Sequence, residues 1–174
     1  MSKDYNDGIA WLKGIDFSNG VIEFDVRGED VEQHSFVGIA FHAVNNETYD
    51  AIYFRPFRFN DTDEVLKNRS VQYISLPKYT WQELRGKFPG KYEHAIVPSS
   101  PDPNAWFKVR VEVKDKTIST YVNGSETPSL VVEKLTDVKS GSVGFFVADT
   151  SEEILLTLPS RKQTETRPDI KLNF

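Results

Sequence analysis

Between Phe36 and Phe57 the sequence FVGIAFHAVNNETYDAIYFRPF alternates with a period of two on either side of Asn45-Asn46. In the first arm Val37, Ile39 and Phe41 stand against Phe36, Gly38, Ala40 and His42; in the second, Ile52 and Phe54 stand against Tyr49, Ala51, Tyr53 and Arg55. Alternation interrupted by a turn signal predicts a β-hairpin with one apolar face. Such a hairpin must bury that face on a second layer, so the chain is committed to a sheet-on-sheet or closed-sheet arrangement. The opposite face is small or polar-aromatic, which leaves room above the sheet and groups that can hydrogen-bond a molecule filling it.

The remaining chain repeats this pattern. Ile9 to Leu12 reads as an edge strand, and Val21 to Arg27 as a strand with Ile22, Phe24 and Val26 inward. Residues 28–35 are a polar loop, Arg58 to Arg69 is a charged surface excursion, and Val71 to Ser75 is a strand. Either Gln72 or the set Val71, Tyr73 and Ser75 faces outward there. Five prolines (Pro77, Pro89, Pro98, Pro101 and Pro103) exclude long helices from residues 76–105, leaving room for one helical turn at Trp81 to Gly86. Strands return with Phe107, Val109, Val111 and Val113 inward, then at Ile118 to Val122, Leu130 to Val132 and Gly141 to Ala148. Strands recurring about every ten residues, with no 3.6-residue period over any long window, predict an all-β, two-sheet antiparallel sandwich.

At 174 residues the chain suits one domain with a sizeable core. A net charge of −5 argues against nucleic acid, whose binding needs clustered Lys and Arg to release counterions. No apolar run is long enough for membrane insertion. With no cysteine there is neither a disulfide framework nor thiolate chemistry. The opening MSKDYNDGIA lacks the basic head and apolar core of a signal peptide, which taken literally predicts a cytoplasmic protein. A start that lacks the leader of an exported protein is the equal alternative, so localisation stays open.

YDAIYFRPF, then RSVQYIS (69–75), Trp81, Leu84-Arg85, PGKYE (89–93), Trp106-Phe107 and YVNG (121–124), resemble in order and spacing one group of concanavalin A-like jelly-roll domains, the laminin-G-like modules of bacterial exported proteins. The resemblance runs from about residue 9 to about 151, with a more distant likeness to keto-disaccharide hydrolase domains. It implies a jelly roll from a superfamily of sugar-binding lectins and polysaccharide-cleaving enzymes, and relatives that are commonly exported. It does not settle activity, because one fold hosts both. After Ser151 the chain departs from the Gly-x-Phe-Ala-Asn-Leu-x-Ile ending of such domains, and codons for Glu153 to Ser160 exist that read Asn-Phe-Ala-Asn-Leu-Thr-Ile in a shifted frame. A frameshift near Glu152 is therefore expected, with Ile154 to Leu158 a substitute strand. The domain is expected to span 1–158, with 159–174 an atypical tail, disordered or loosely attached.

Of catalytic motifs the nearest is Glu23-Phe24-Asp25-Val26-Arg27-Gly28-Glu29. Some glucanases of the superfamily carry Glu-x-Asp-x-x-Glu on one strand, and retaining chemistry needs its two carboxyl groups about 5–5.5 Å apart. Here Gly28 occupies the place of the second Glu, so Glu23 and Asp25 read as the outward face of a strand and stand, with Glu93, only as weak candidates. His34, His42 and His94 show no metal-ligand spacing, and no phosphate loop, dinucleotide fingerprint or nucleophile elbow occurs, so no metal or cofactor is expected.

What remains is a constellation: His42, Tyr53, Arg55 and Gln72 on strands, with Tyr49, Trp81 and Tyr92 at strand ends and in loops. Aromatic faces with Arg and Gln groups suit the flat C–H faces and dense hydroxyls of a sugar, and the planar fork of Arg also suits a carboxylated one. The leading expectation is a non-catalytic glycan-recognition module. A glycoside hydrolase and a structural or interaction domain are the alternatives.

Overall fold

The computed structural model describes residues 7–148, 154–157 and 170–172. Two antiparallel sheets face one another. The front sheet has the order β1 (Asp7–Phe17), β10 (Gly141–Ala148), β3 (Phe36–Asn45), β4 (Thr48–Phe54), β5 (Val71–Leu76), β6 (Glu93–His94). The back sheet has the order β12 (Ile170–Leu172), β11 (Ile154–Thr157), β2 (Gly20–Val26), β7 (Phe107–Lys114), β8 (Thr117–Val122), β9 (Leu130–Glu133). Two short helices, α1 (Glu64–Lys67) and α2 (Trp81–Lys87), lie in the connections, and neither they nor any other helix among the described residues is long and apolar enough to cross a membrane.

Alternation sets the inner faces as expected. Val37, Ile39 and Phe41 of β3 pair with Phe54, Ile52 and Asp50 of β4, and this row points at the back sheet. From the other side come Ile22, Phe24 and Val26 of β2 and Phe107, Val109, Val111 and Val113 of β7. The layers are joined by edge-to-face rings, Phe24 on Phe145 at 6.3 Å and Phe54 on Phe107 at 5.3 Å between centroids. Burying each such ring stabilises by about 1.5–3 kcal/mol relative to leaving it exposed, so this seam is where the sandwich is held.

The front sheet is unusual in being buried on its outer side too. Tyr49, Tyr53, Ile74 and Phe146 point away from the back sheet, yet all are buried. Segments 55–70 and 77–92 fold across this side. The register settles the side of Gln72: it lies opposite Tyr53, on the outer face, while Val71, Tyr73 and Ser75 point inward.

One residue breaks the alternation. His42 has a φ of 52°, and the β3–β4 register shifts between Phe41 and Asn45. This bulge turns the imidazole to the inner side, where it stacks on Phe17 at 5.7 Å and is 1% exposed. The expectation that His42 shares a face with Tyr53 and Arg55 is thereby corrected, because an extra residue in a strand reverses the facing of the residues beyond it.

At the end of the chain, β11 pairs with β2 through Leu156 opposite Val26 and Thr157 opposite Asp25. Within the segment expected to be a loose tail, Ile170–Leu172 pairs with β11. Glu152, Glu153 and Leu158, with 159–169 and 173–174, lie outside the described residues, as does the expected frameshift point.

Candidate functional site

A cavity of about 520 Å³ opens over the outer face of the front sheet. Its floor is made by Tyr53 of β4, Ile74 and Leu76 of β5, Phe146 and Ala148 of β10 and Phe36 of β3. Trp81 and Arg85 of α2 supply one wall, and Phe57 and Arg58, in the 3-10 turn Pro56–Arg58, supply another.

The floor depends on Gly38. Gly38 of β3 lies between Tyr53 of β4 and Phe146 of β10, and those rings stack above it with centroids 5.1 Å apart and planes 27° from parallel. A Cβ at Gly38 would come within 2.1 Å of the Ile52 carbonyl oxygen and 2.6 Å of Tyr53 Cα. The small residues of this face leave room, and the side chain that fills it is Tyr53 itself.

Arg55 succeeds the last residue of β4 and is 6% exposed. One of its terminal nitrogens donates to the Arg69 carbonyl at 2.9 Å, the other to the Tyr53 hydroxyl at 2.8 Å, and both approach Gln72 Oε1 at 3.4 Å. The guanidinium also lies over the Phe36 and Tyr53 rings, 5.7 and 4.9 Å from their centroids. A buried charge needs partners, and these are all neutral. Burial pulls the Arg55 pKa below its ordinary value; Tyr53 and Glu93 oppose that shift, while Arg85 and Arg69 add to it.

The α2 wall is built by a capped turn. The Thr80 hydroxyl accepts from the Glu83 amide, starting the helix, and Leu84 is its buried residue. Trp81 and Arg85 are four apart and so share a face, with the Arg85 guanidinium 4.7 Å from the Trp81 ring. Trp81 is 39% exposed at the rim. Arg85 is gripped by Glu93, which accepts from Nε at 2.9 Å and from a terminal nitrogen at 2.6 Å.

Of the ligand candidates, Tyr53, Arg55 and Trp81 line the cavity. Gln72 stands behind Arg55 and holds it, its own amide donating to the Tyr73 and Tyr92 carbonyls. Tyr92 is not in the lining but packs on Tyr73 and Phe88. Tyr49 faces the same side of the sheet but meets Trp11, at 6.2 Å. His42 lies on the other side of the sheet, in an inner polar cluster. Its Nε2 contacts the Ser18 carbonyl at 2.7 Å, and a carbonyl can only accept, so Nε2 carries the proton. Nδ1 then accepts from the Lys134 ammonium at 3.1 Å. Asp50, fully buried beside it, accepts from the Tyr73 hydroxyl at 2.7 Å.

The three carboxylate candidates do not meet. Glu23 and Asp25 lie on the outer face of the back sheet, opposite Arg110 and Lys108 in register, while Glu93 belongs to the front sheet behind Arg85. Among the described residues no three His, Asp or Glu side chains gather in a metal-binding group. Sequence reasoning missed Arg58, Arg69, Phe36 and Phe146. Arg85 was within reach, since its spacing from Trp81 in WQELR already puts both on one helical face.

Neither a family model nor a curated protein matches the chain. Among solved structures it is similar to the carbohydrate-binding module CBM66 from Bacillus subtilis, with a TM-score of 0.54 and 14% identity over 83% of this chain and 76% of that one. It is also similar to a Bacillus subtilis protein of unknown function with a galectin-like fold, with a TM-score of 0.50 and 14% identity over 84% of this chain and 73% of that one. The fold is an all-β, two-sheet antiparallel jelly-roll sandwich. At such identities the likeness speaks for the architecture, and the chemistry has to be argued from the cavity itself.

Proposed function

We propose that the chain is a non-catalytic carbohydrate-recognition module that seats a sugar in the cavity over the front sheet. The observation that carries this is the lining: aromatic surfaces from Trp81, Tyr53, Phe36, Phe57 and Phe146 combined with hydrogen-bonding groups from Arg55, Thr80, Gln82 and Gln33. A volume of about 520 Å³ falls within the range of small-molecule sites. Trp81 at the rim offers a flat face to the C–H side of a pyranose. One protein that shares the fold is a carbohydrate-binding module, which supports the same reading. Against cleavage stands the placement of acids: glycoside hydrolysis uses two carboxyl groups about 5–9.5 Å apart across the bond. Among the described residues no Asp or Glu lines the cavity, and Glu93 is spent on Arg85.

The test is a glycan array and then titration of tryptophan fluorescence, with a parallel assay for newly released reducing ends. Trp81→Ala is expected to weaken binding at least tenfold with an unchanged melting temperature, since Trp81 is partly exposed and lies at the rim. Wild-type affinity in Trp81→Ala would remove the cavity from the account. Release of reducing ends would replace the module with a hydrolase.

A further inference from the structure

The charged side chains that line the cavity are all of one sign. The whole chain carries a net charge of −5, yet the charged side chains lining the cavity are Arg55, Arg58, Arg69 and Arg85, without one carboxylate among the described residues. Arg58 is neutralised from outside by Glu32 and Asp61, and Arg85 by Glu93. Arg55 and Arg69 enter no ion pair among the described residues. The acceptors around Arg55 are a hydroxyl, an amide oxygen and a carbonyl, all neutral. Arg69 goes further: its Nε is buried and has no hydrogen-bond acceptor among the described residues. Arg69 itself lines the cavity, and among the described residues no acceptor takes its guanidinium donors, which leaves them for an acceptor that enters from outside the chain.

The donor inventory points the same way. A neutral sugar hydroxyl both gives and takes a hydrogen bond, and sites for it mix donors with acceptors. Guanidinium groups only donate. A wall in which they dominate is matched by a group that only accepts, and Arg holds planar or branched oxyanions in paired bonds.

We infer that the cavity recognises an acidic saccharide, its acid group bound between Arg55 and Arg69 and its ring laid toward Trp81. This rests on the reading of the cavity as a sugar site and adds the class of sugar. The acid group is a carboxylate, as in a uronic acid, or a sulfate ester, both being oxyanions without a donor.

The experiment titrates the protein with galacturonate oligosaccharides, their methyl esters, sulfated galactan oligosaccharides and neutral galactan oligosaccharides. The expected result is that one acidic series binds at least tenfold more tightly than its uncharged counterpart, the galacturonates against their esters or the sulfated galactans against the neutral ones. Which series does so tells carboxylate from sulfate. Affinity for the favoured series should fall as salt is raised. Arg69→Gln, which removes a charge without breaking any ion pair, should cost that series about tenfold, or 1.4 kcal/mol, and leave the uncharged one within twofold. Equal binding of acidic and uncharged counterparts, or binding of neutral sugars alone, would overturn the inference and leave carbohydrate recognition standing. Binding of no oligosaccharide in this set or on the glycan array would take both down.

Discussion

Tyr73 and Asp50 show how much a single buried residue carries here. Both are fully buried, the hydroxyl donates to Asp50 Oδ1 at 2.7 Å, and the same oxygen accepts from the Leu135 amide at 3.1 Å. Asp50 Oδ2 has no hydrogen-bond partner among the described residues. Removing the hydroxyl therefore leaves the Leu135 amide without its acceptor and takes the Oδ1 hydrogen bond from Asp50, which keeps only the His42 imidazole, 3.5 Å from Oδ2, and the nearby Lys134 ammonium. Tyr73→Phe is expected to lose about 2–3 kcal/mol of stability, measured as a lower urea midpoint. Burial, then the charge of Asp50 and its hydrogen bond, push the Tyr73 pKa far above its ordinary range. An unfolded tyrosine ionises near pH 10, so the folded chain holds its proton where the unfolded chain does not. This contribution is complete below pH 10 and is lost above it at about 1.4 kcal/mol per pH unit. The gap between wild type and Tyr73→Phe should stay constant from pH 7 to 9 and narrow from pH 10 to 11; a gap that stays level to pH 11 would contradict the pairing. Gly38 makes the steric counterpart. Gly38→Ala must displace a backbone carbonyl rather than a flexible chain end, so a loss of about 1–3 kcal/mol is expected, together with weaker sugar binding as the Tyr53–Phe146 stack shifts.

Strands are legible where only one of their faces is buried, as in β7, whose apolar and polar residues alternate throughout, and in β2, where they alternate from Ile22 to Val26. The front sheet is harder because both faces are covered. In β5 the run Val71-Gln72-Tyr73-Ile74-Ser75 offers a buried role on either side, and only pairing with β4 decides it. The bulge at His42 carries no glycine or proline to announce it, so a side chain that alternation sends outward ends inside. β6, two residues long, leaves no periodic trace. Between strands, continuity of pairing predicts relative opening rates. β2 and β7 pair without a break from Gly20 opposite Val113 to Val26 opposite Phe107, whereas β11 meets β2 through Leu156 and Thr157 alone among the described residues. Amide exchange at residues 154–157 is expected to be at least a hundredfold faster than at 109–113, which corresponds to a difference of about 2.7 kcal/mol in opening free energy. Equal protection would mean that β11 is anchored by more than its pairing.

On the scale of the molecule, the inner faces of both sheets form one contiguous core, and a single core of this size is expected to unfold in one step. Far-ultraviolet and near-ultraviolet circular dichroism should therefore give the same melting midpoint; separated midpoints would show that the sheets part independently. Much of this architecture can be read from alternation, because burial of one face leaves a period in the residues. The cavity cannot be read so fully. Tyr53, Arg55 and Trp81 announce themselves by being polar or aromatic beside apolar strands, but Arg58 and Arg69 sit in a charged connection where nothing distinguishes them from solvated surface. Only the folding of that segment across the sheet brings them in. The two-layer build also leaves the outer side of the back sheet facing away from the cavity, with Val131 exposed on β9. Since the chain has no cysteine, Val131→Cys would create a single thiol on that side. A dye or bead attached there would be screened from the cavity by the whole thickness of the sandwich, so the molecule can be held or labelled from behind while its binding face stays open.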